Sequence, residues 1–241
     1  MRHLSVINSI SSNRFPSCVK AMILAACLAL VFFSPRAGEC KNSADNFDIS
    51  LDQIMEKIEN KYNTKGFSAE FFQKSTIKAI NITDTASGNL FVKSPGMMRW
   101  EYKEPDKQLI ITDGKKLWVY RKNDNQVMVG TSPYFFGNGK GGGFLSDMKI
   151  IRQEFDITLD TKTDNTYYML KLIPKEKMFD ISLVSLWVSR NNFNIVQIAT
   201  YNLYDDETKI YLKNINFKKN INDSMFYFTI PEGADILQLD K

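Results

Sequence analysis

Three short runs of alternating apolar and polar residues, with a fourth, KKLWVY, behind them, lie between Gly88 and Tyr120, in GNLFVKSPGMMRWEYKEPDKQLIITDGKKLWVY. Each of the first three is ended by its own turn residues, Ser94-Pro95-Gly96, Glu104-Pro105-Asp106 and Asp113-Gly114. This punctuation restricts the chain to consecutive antiparallel strands. Proline fixes φ and removes an N–H, so it stops a strand. Asp-Gly between two apolar runs marks a hairpin, expected here as a type I′ turn with φ > 0 at both central residues. In the middle run Met98, Trp100 and Tyr102 share one face and Arg99, Glu101 and Lys103 the other, as a period of two requires. Such a sheet is expected to cover something apolar on one side only.

The same alternation continues along most of the chain. Strands are expected over 67–77, 85–93, 98–103, 108–112, 116–122, 126–129, 154–160, 167–173, 182–189, 195–204, 208–217 and 225–229. Polar connections such as Asn123-Asp124-Asn125 and Asn191-Asn192 suit sequential hairpins. About a dozen such strands must curl to hide one face, which points to a barrel or part of one. Ahead of them, Ile54, Met55, Ile58 and Tyr62 recur at helical spacing behind Ser50 and Gln53, a capping box, so a helix is expected over about 50–63.

Residues 131–149 break the pattern with short apolar pieces, including Phe135, Phe136 and Leu145, hung on a glycine-rich backbone. Gly137, Gly139 and Gly142 match G-x-G-x-x-G, but no parallel strand, crossover helix or acidic ribose partner surrounds them. Hinge glycines of a moving lid, or a plain solvent loop, are the two readings this stretch allows.

The first 37 residues have the layout of a secretory signal. Arg2, Arg14 and Lys20 precede a thirteen-residue apolar run, 21–33, and the small-residue exit ends at Ala37. The run is too short to span a bilayer, which takes about 20 apolar residues. Leu24-Ala25-Ala26-Cys27 has the form of a lipoprotein cleavage box, yet apolar residues continue beyond Cys27, so export without an anchor is expected. Residues 38–47 would form a flexible mature start and 48–241 a single domain. Processing would remove the one histidine, His3, and leave Cys40 as a lone thiol. A mature chain of this kind is expected to have no Ser-His-Asp or Cys-His catalysis and no His/Cys cluster with the ligand spacing of a zinc site. The first 40 residues hold four Lys/Arg and one Asp/Glu, and taking these from totals of 31 and 27 leaves 27 basic against 26 acidic residues, which argues against a nucleic-acid face. Asp113, Asp124, Asp164, Asp205 and Asp206 fall in turns, where Asp serves the backbone. No enzyme activity is expected.

Six ordered stretches then take on meaning together: Phe67-Ser-Ala-Glu-Phe-Phe-Gln73, Gly88-Asn-Leu-Phe-Val-Lys-Ser-Pro95, Met98-Arg-Trp-Glu-Tyr102, Pro105-Asp106, Asp113-Gly-Lys-Lys-Leu-Trp-Val-Tyr120 and Phe228-Thr-Ile-Pro-Glu-Gly233. In order and spacing this series resembles the periplasmic outer-membrane lipoprotein carrier family (LolA). The resemblance implies a mainly β, α+β fold: an incomplete antiparallel barrel of about 11–12 strands with a lid of short helices over an apolar cavity. It also implies a monomeric periplasmic shuttle without cofactor. Such a carrier takes acylated lipoproteins from an inner-membrane ABC-type releasing complex to an outer-membrane acceptor.

On that reading Leu90, Val92, Met98, Trp100, Tyr102 and Ile110 line the cavity, and Ile54, Ile58, Phe135, Phe136 and Leu145 belong to the lid. Residue pattern alone also allows the same side chains to fill a dry core. The family commonly carries Lys-Arg-Pro where this chain has Lys93-Ser94-Pro95, and the family arginine helps hold the lid shut. Ser94 reaches less far and carries no charge, so either a weaker closed state or a latch made by Lys93 or Arg99 is expected. A carrier of free lipids or glycolipids, or an envelope-stress sensor, are the alternative uses of the same fold.

Overall fold

The computed structural model describes residues 49–63, 66–132, 137–160, 165–177, 180–217 and 220–239, with the backbone alone for 137–141. The expected signal segment and mature start therefore lie outside the described residues, as do Phe135 and Phe136.

One helix, α1 (Leu51–Tyr62), precedes the sheet. Ser50 caps it: its Oγ accepts the Gln53 N–H at 3.2 Å while the Gln53 side chain accepts the Ser50 N–H at 2.9 Å, a capping box. Asp52 in the first turn and Lys61 in the last both suit the helix dipole. Its apolar stripe, Ile54, Met55, Ile58 and Tyr62, is buried.

Twelve strands follow in one sheet. They are β1 (Phe67–Ile77), β2 (Ile82–Lys93), β3 (Met97–Glu104), β4 (Gln108–Asp113), β5 (Lys116–Arg121), β6 (Gln126–Thr131), β7 (Phe155–Asp160), β8 (Tyr167–Pro174), β9 (Leu183–Ser189), β10 (Ile195–Tyr201), β11 (Glu207–Asn216) and β12 (Asp235–Gln238). Their spatial order is β12-β6-β5-β4-β3-β2-β1-β11-β10-β9-β8-β7. Two meanders, β2–β6 and β7–β11, are thus joined through β1, which pairs with β2 on one side and β11 on the other. The sheet ends at β7 and β12, so it is an unclosed, incomplete barrel. Bulges between Ser68 and Glu70, Ser87 and Gly88, and Ile195 and Gln197 add local bend and twist.

Four local expectations are corrected. Asp113 does not take a positive φ; its Oδ1 accepts the N–H groups of Lys115 (2.8 Å) and Lys116 (2.7 Å), so the β4–β5 turn is held by an Asp side chain and Gly114 (φ 93°) in place of a type I′ geometry. Lys149–Glu154 forms a short helix, α2, just before β7, where the alternation suggested strand from 154. The expected strand at 225–229 is absent: Asp223–Phe226 is a 3-10 turn and the residues after it run without a ladder. The last strand is instead β12, lying parallel to β6 in an otherwise antiparallel sheet.

That displaced C-terminal stretch explains the fourth correction, because the sheet is not covered on one side only. Phe228 and Ile230 pack on the outer face of β4–β6 against Ile111, Trp118 and Val127. The Phe228 ring lies 5.5 Å from Tyr120 and 6.5 Å from Trp118. Strands covered on both faces carry apolar residues in succession, as Ile110-Ile111 and Leu117-Trp118-Val119 do.

Gly88 sits where β2, β3 and Phe71 meet. A Cβ there would stand 1.9 Å from the Glu101 carbonyl oxygen and 2.9 Å from Phe71 Cε1, so the two strands approach closely because nothing projects between them. Gly88→Ala should therefore lower stability by about 3 kcal/mol through overpacking. Urea unfolding of the two proteins measures this, and equal midpoints would contradict the close approach.

Candidate functional site

Strand periodicity and register bring the expected lining residues together. Leu90 pairs with Trp100, Val92 with Met98, and Trp100 with Ile110, so all five point to the inner face of the sheet. Each is at most 8% exposed. Tyr102 is two residues beyond Trp100 on the same face and half-buried. Its ring meets Phe71 edge-on at 4.9 Å, its hydroxyl donates to Gln73 Oε1 at 3.1 Å, and burial pushes its pKa up to about 12. This tyrosine is neutral at any ordinary pH. The second meander contributes Val184, Leu186, Val188 and Ile198 to the same apolar cluster. The alternation in Leu183–Ser189 carried that signal, but the lining predicted from sequence stopped at the first meander.

Two pieces cover this face. Ile54, Met55 and Ile58 of α1 are fully buried in the cluster, and Tyr62 anchors the helix end. The Tyr62 hydroxyl accepts the Ile195 N–H at 2.8 Å, and its ring meets Phe67 and Phe217 edge-on, each at 5.2 Å. Burial raises the Tyr62 pKa, opposed in part by the Ile195 bond. The second piece is the turn region Gly137–Ser146 with α2; Phe144, Leu145, Met148 and Ile151 are buried in the same cluster. Leu145 was expected there, whereas Phe144, Met148 and Ile151 were not singled out.

With both covers in place, cover side chains pack on the lining, which is the dry-core arrangement. An occupant has to displace them. Clefts mark the two ends of the covered face. One, of about 440 Å³, separates the Pro95–Met97 turn and the Asp113–Lys115 hairpin from Gly143, Ser146 and Ile150 of the cover. The other, of about 320 Å³, lies at the far end of β1–β4 and is lined by Gln73, Ser75, Ala86, Tyr102 and Gln108.

The expected latch residues take other partners. Lys93 donates to the Ile221 carbonyl at 3.0 Å and pairs with Asp223; Arg99 pairs with Glu101 at 2.6 Å and donates to the Met225 carbonyl at 3.2 Å. These bonds hold the C-terminal segment to the outer face, and do not run to the cover. Ser94 is half-buried in the β2–β3 turn, and in the same turn the Gly96 N–H donates to the Ser146 carbonyl of the cover at 3.3 Å. Arg152 of α2 ties the two covers together through Asp52 (3.0 Å) and Glu59 (2.5 Å) of α1. The hydrogen bonds it donates to Asp52 and then to Glu59 raise the pKa of its guanidinium.

Because this ion-pair cluster is partly exposed, removing it should cost overall stability no more than about 1 kcal/mol while loosening the joint between the covers. Arg152→Gln is expected to speed hydrogen exchange in the first turns of α1 and to increase binding of an apolar dye at low salt, with the difference from the parent shrinking as salt rises. Identical exchange in both proteins would contradict the role of this clamp.

The family described as outer membrane lipoprotein carrier protein LolA matches residues 62–229. An outer-membrane lipoprotein carrier protein of Nitrosomonas europaea is 28% identical over 176 residues, covering 71% of this chain and 82% of the relative. One from Pseudomonas entomophila is 26% identical over 218 residues, covering 90% and 97%. Among solved structures, an uncharacterized conserved protein from Thermus thermophilus superposes with a TM-score of 0.52 at 12% identity, over 79% of this chain and 99% of that one, a likeness of fold alone. With the family match running from the end of α1 through β11 to the C-terminal segment on the outer face, the chain belongs to the LolA outer-membrane lipoprotein carrier family.

Proposed function

We propose that this protein shields the acyl chains of lipid-modified proteins and carries them through the periplasm, from an inner-membrane ABC-type releasing complex to an outer-membrane acceptor. No bond is made or broken in such a task. The observation that carries the reading is the inner face of the sheet, apolar across both meanders yet covered by two non-strand pieces joined to each other through Arg152. Membership of the carrier family supports it, and the predicted export segment at 1–37 supports the compartment.

Magnitudes favour exchange of cover for cargo. Exposing three fully buried side chains of α1 costs roughly 6 kcal/mol at about 2 kcal/mol each. One acyl chain of a dozen or more methylenes, at about 0.8 kcal/mol apiece, regains ~10 kcal/mol on entering the same face. A chain can therefore replace the cover, and the cover can reseal the face once the chain has left.

Purified protein incubated with inner-membrane vesicles bearing the releasing complex and a tagged lipoprotein is expected to bring that lipoprotein into the soluble fraction as a one-to-one complex, and to pass it to acceptor-bearing vesicles. Release of free phospholipid or glycolipid alone, or no release, would overturn the lipoprotein reading.

A further inference from the structure

The inner face changes character along its strands. Under the covers it is aliphatic and aromatic, whereas beyond Tyr102 it becomes polar. There the Tyr102 hydroxyl donates to Gln73, the Gln73 amide donates to Ser75 Oγ at 3.1 Å, and Ser75 Oγ bonds Thr208 Oγ1 at 3.1 Å. Of these, Gln73, Ser75 and Tyr102 border the cleft of about 320 Å³ at the open end. At the boundary stands Trp100, 2% exposed, its ring edge-on to Phe71 at 5.0 Å. Its Nε1–H is buried and has no hydrogen-bond partner among the described residues. The hydroxyls of buried Tyr62 in α1 and half-buried Tyr102 are both bonded, which sets the indole apart. A buried donor without an acceptor is rare enough to require an explanation.

We infer that the Trp100 indole N–H donates to the carbonyl that joins an acyl chain to its head group, with the hydrocarbon under the covers and the polar linker in the cleft beyond Tyr102. This inference rests on the carrier reading and adds to it a chemical preference: ester- or amide-linked acyl chains over hydrocarbon of equal length lacking the carbonyl. The spacing fits. Tyr102 is two residues along β3 from Trp100, about 7 Å at a strand's rise, so a carbonyl at the indole leaves a glycerol-sized linker level with the cleft. Indole is a donor and not an acceptor, so an ether oxygen, a much poorer acceptor than a carbonyl, is the matched control.

The test compares 1-monopalmitoylglycerol with 1-O-hexadecylglycerol, its ether counterpart, by displacement of a fluorescent apolar probe from the purified protein. A neutral hydrogen bond amounts to about a fivefold preference for the ester, which Trp100→Phe should abolish. In parallel, the three tryptophans give three indole N–H signals in a 15N spectrum, assigned through Trp118→Phe and Trp187→Phe. The ester should move the Trp100 signal downfield and the ether should not. These readouts use the parent fold, so they stand even if Trp100→Phe fails to fold. Equal affinity and equal indole shifts for the two lipids would overturn the inference and leave the carrier reading intact, with the N–H resting on the Phe71 ring. Binding of neither lipid would overturn both.

Discussion

A twelve-strand sheet that ends at β7 and β12 leaves its inner face open, and burying that face is the constraint on which the rest of the structure depends. Backbone pairing runs without a break from β12 to β7, but among the described residues no further strand lies over Leu90, Met98 and Trp100. The cover must come from outside the sheet. It consists of α1 and of the stretch from Gly142 (φ +74°) through α2, whose buried side chains join the sheet in one apolar cluster. The two covers are held differently. Tyr62 sinks into the sheet and binds the β10 backbone, whereas the Ser146 turn is fastened by a backbone bond from Gly96 and by the Arg152 cluster.

Both faces of the first meander are covered, and the contrast explains which face is free to change. On the outer face Phe228 and Ile230 lie over Trp118 and Ile111, while Lys93 and Arg99 clamp the segment just before them through Ile221, Asp223 and Met225. The β12 ladder then fixes the segment after it. That cover is held by backbone pairing and by charges. The inner covers, by contrast, are held mainly by apolar contact, which an alkyl chain can replace like for like.

Much of this was legible in the sequence because period-two alternation and turn residues act locally. The β1 boundaries, α1 with its Ser50–Gln53 box, and the shared face of Leu90, Val92, Met98, Trp100 and Ile110 all follow from spacing within one strand or helix. The failures involve partners remote in sequence. Phe228 and Ile230 alternate like a strand, but their neighbours are side chains of β4–β6, not another backbone, and Pro231 has no N–H to offer a ladder. Lys93 and Arg99 lie beside the position of the family latch, but their place in the pleat points them outward. The role of Gly96 as a donor to Ser146 has no side-chain signature at all.

The central claim, that acyl chains enter the inner face and no other, is tested most directly by photocrosslinking with a set of palmitoyl probes carrying a diazirine at successive positions along the chain, followed by mapping the modified residues. Ile110 and Ile111 are adjacent in sequence but lie on opposite faces, as do Leu117 and Trp118. Adducts on Ile110, Met98, Leu90 and the cover residue Phe144, with Ile111 and Trp118 unlabelled, are the result this account predicts. Labelling centred on Ile111, Trp118 and Val127, or spread evenly over both faces, would contradict it.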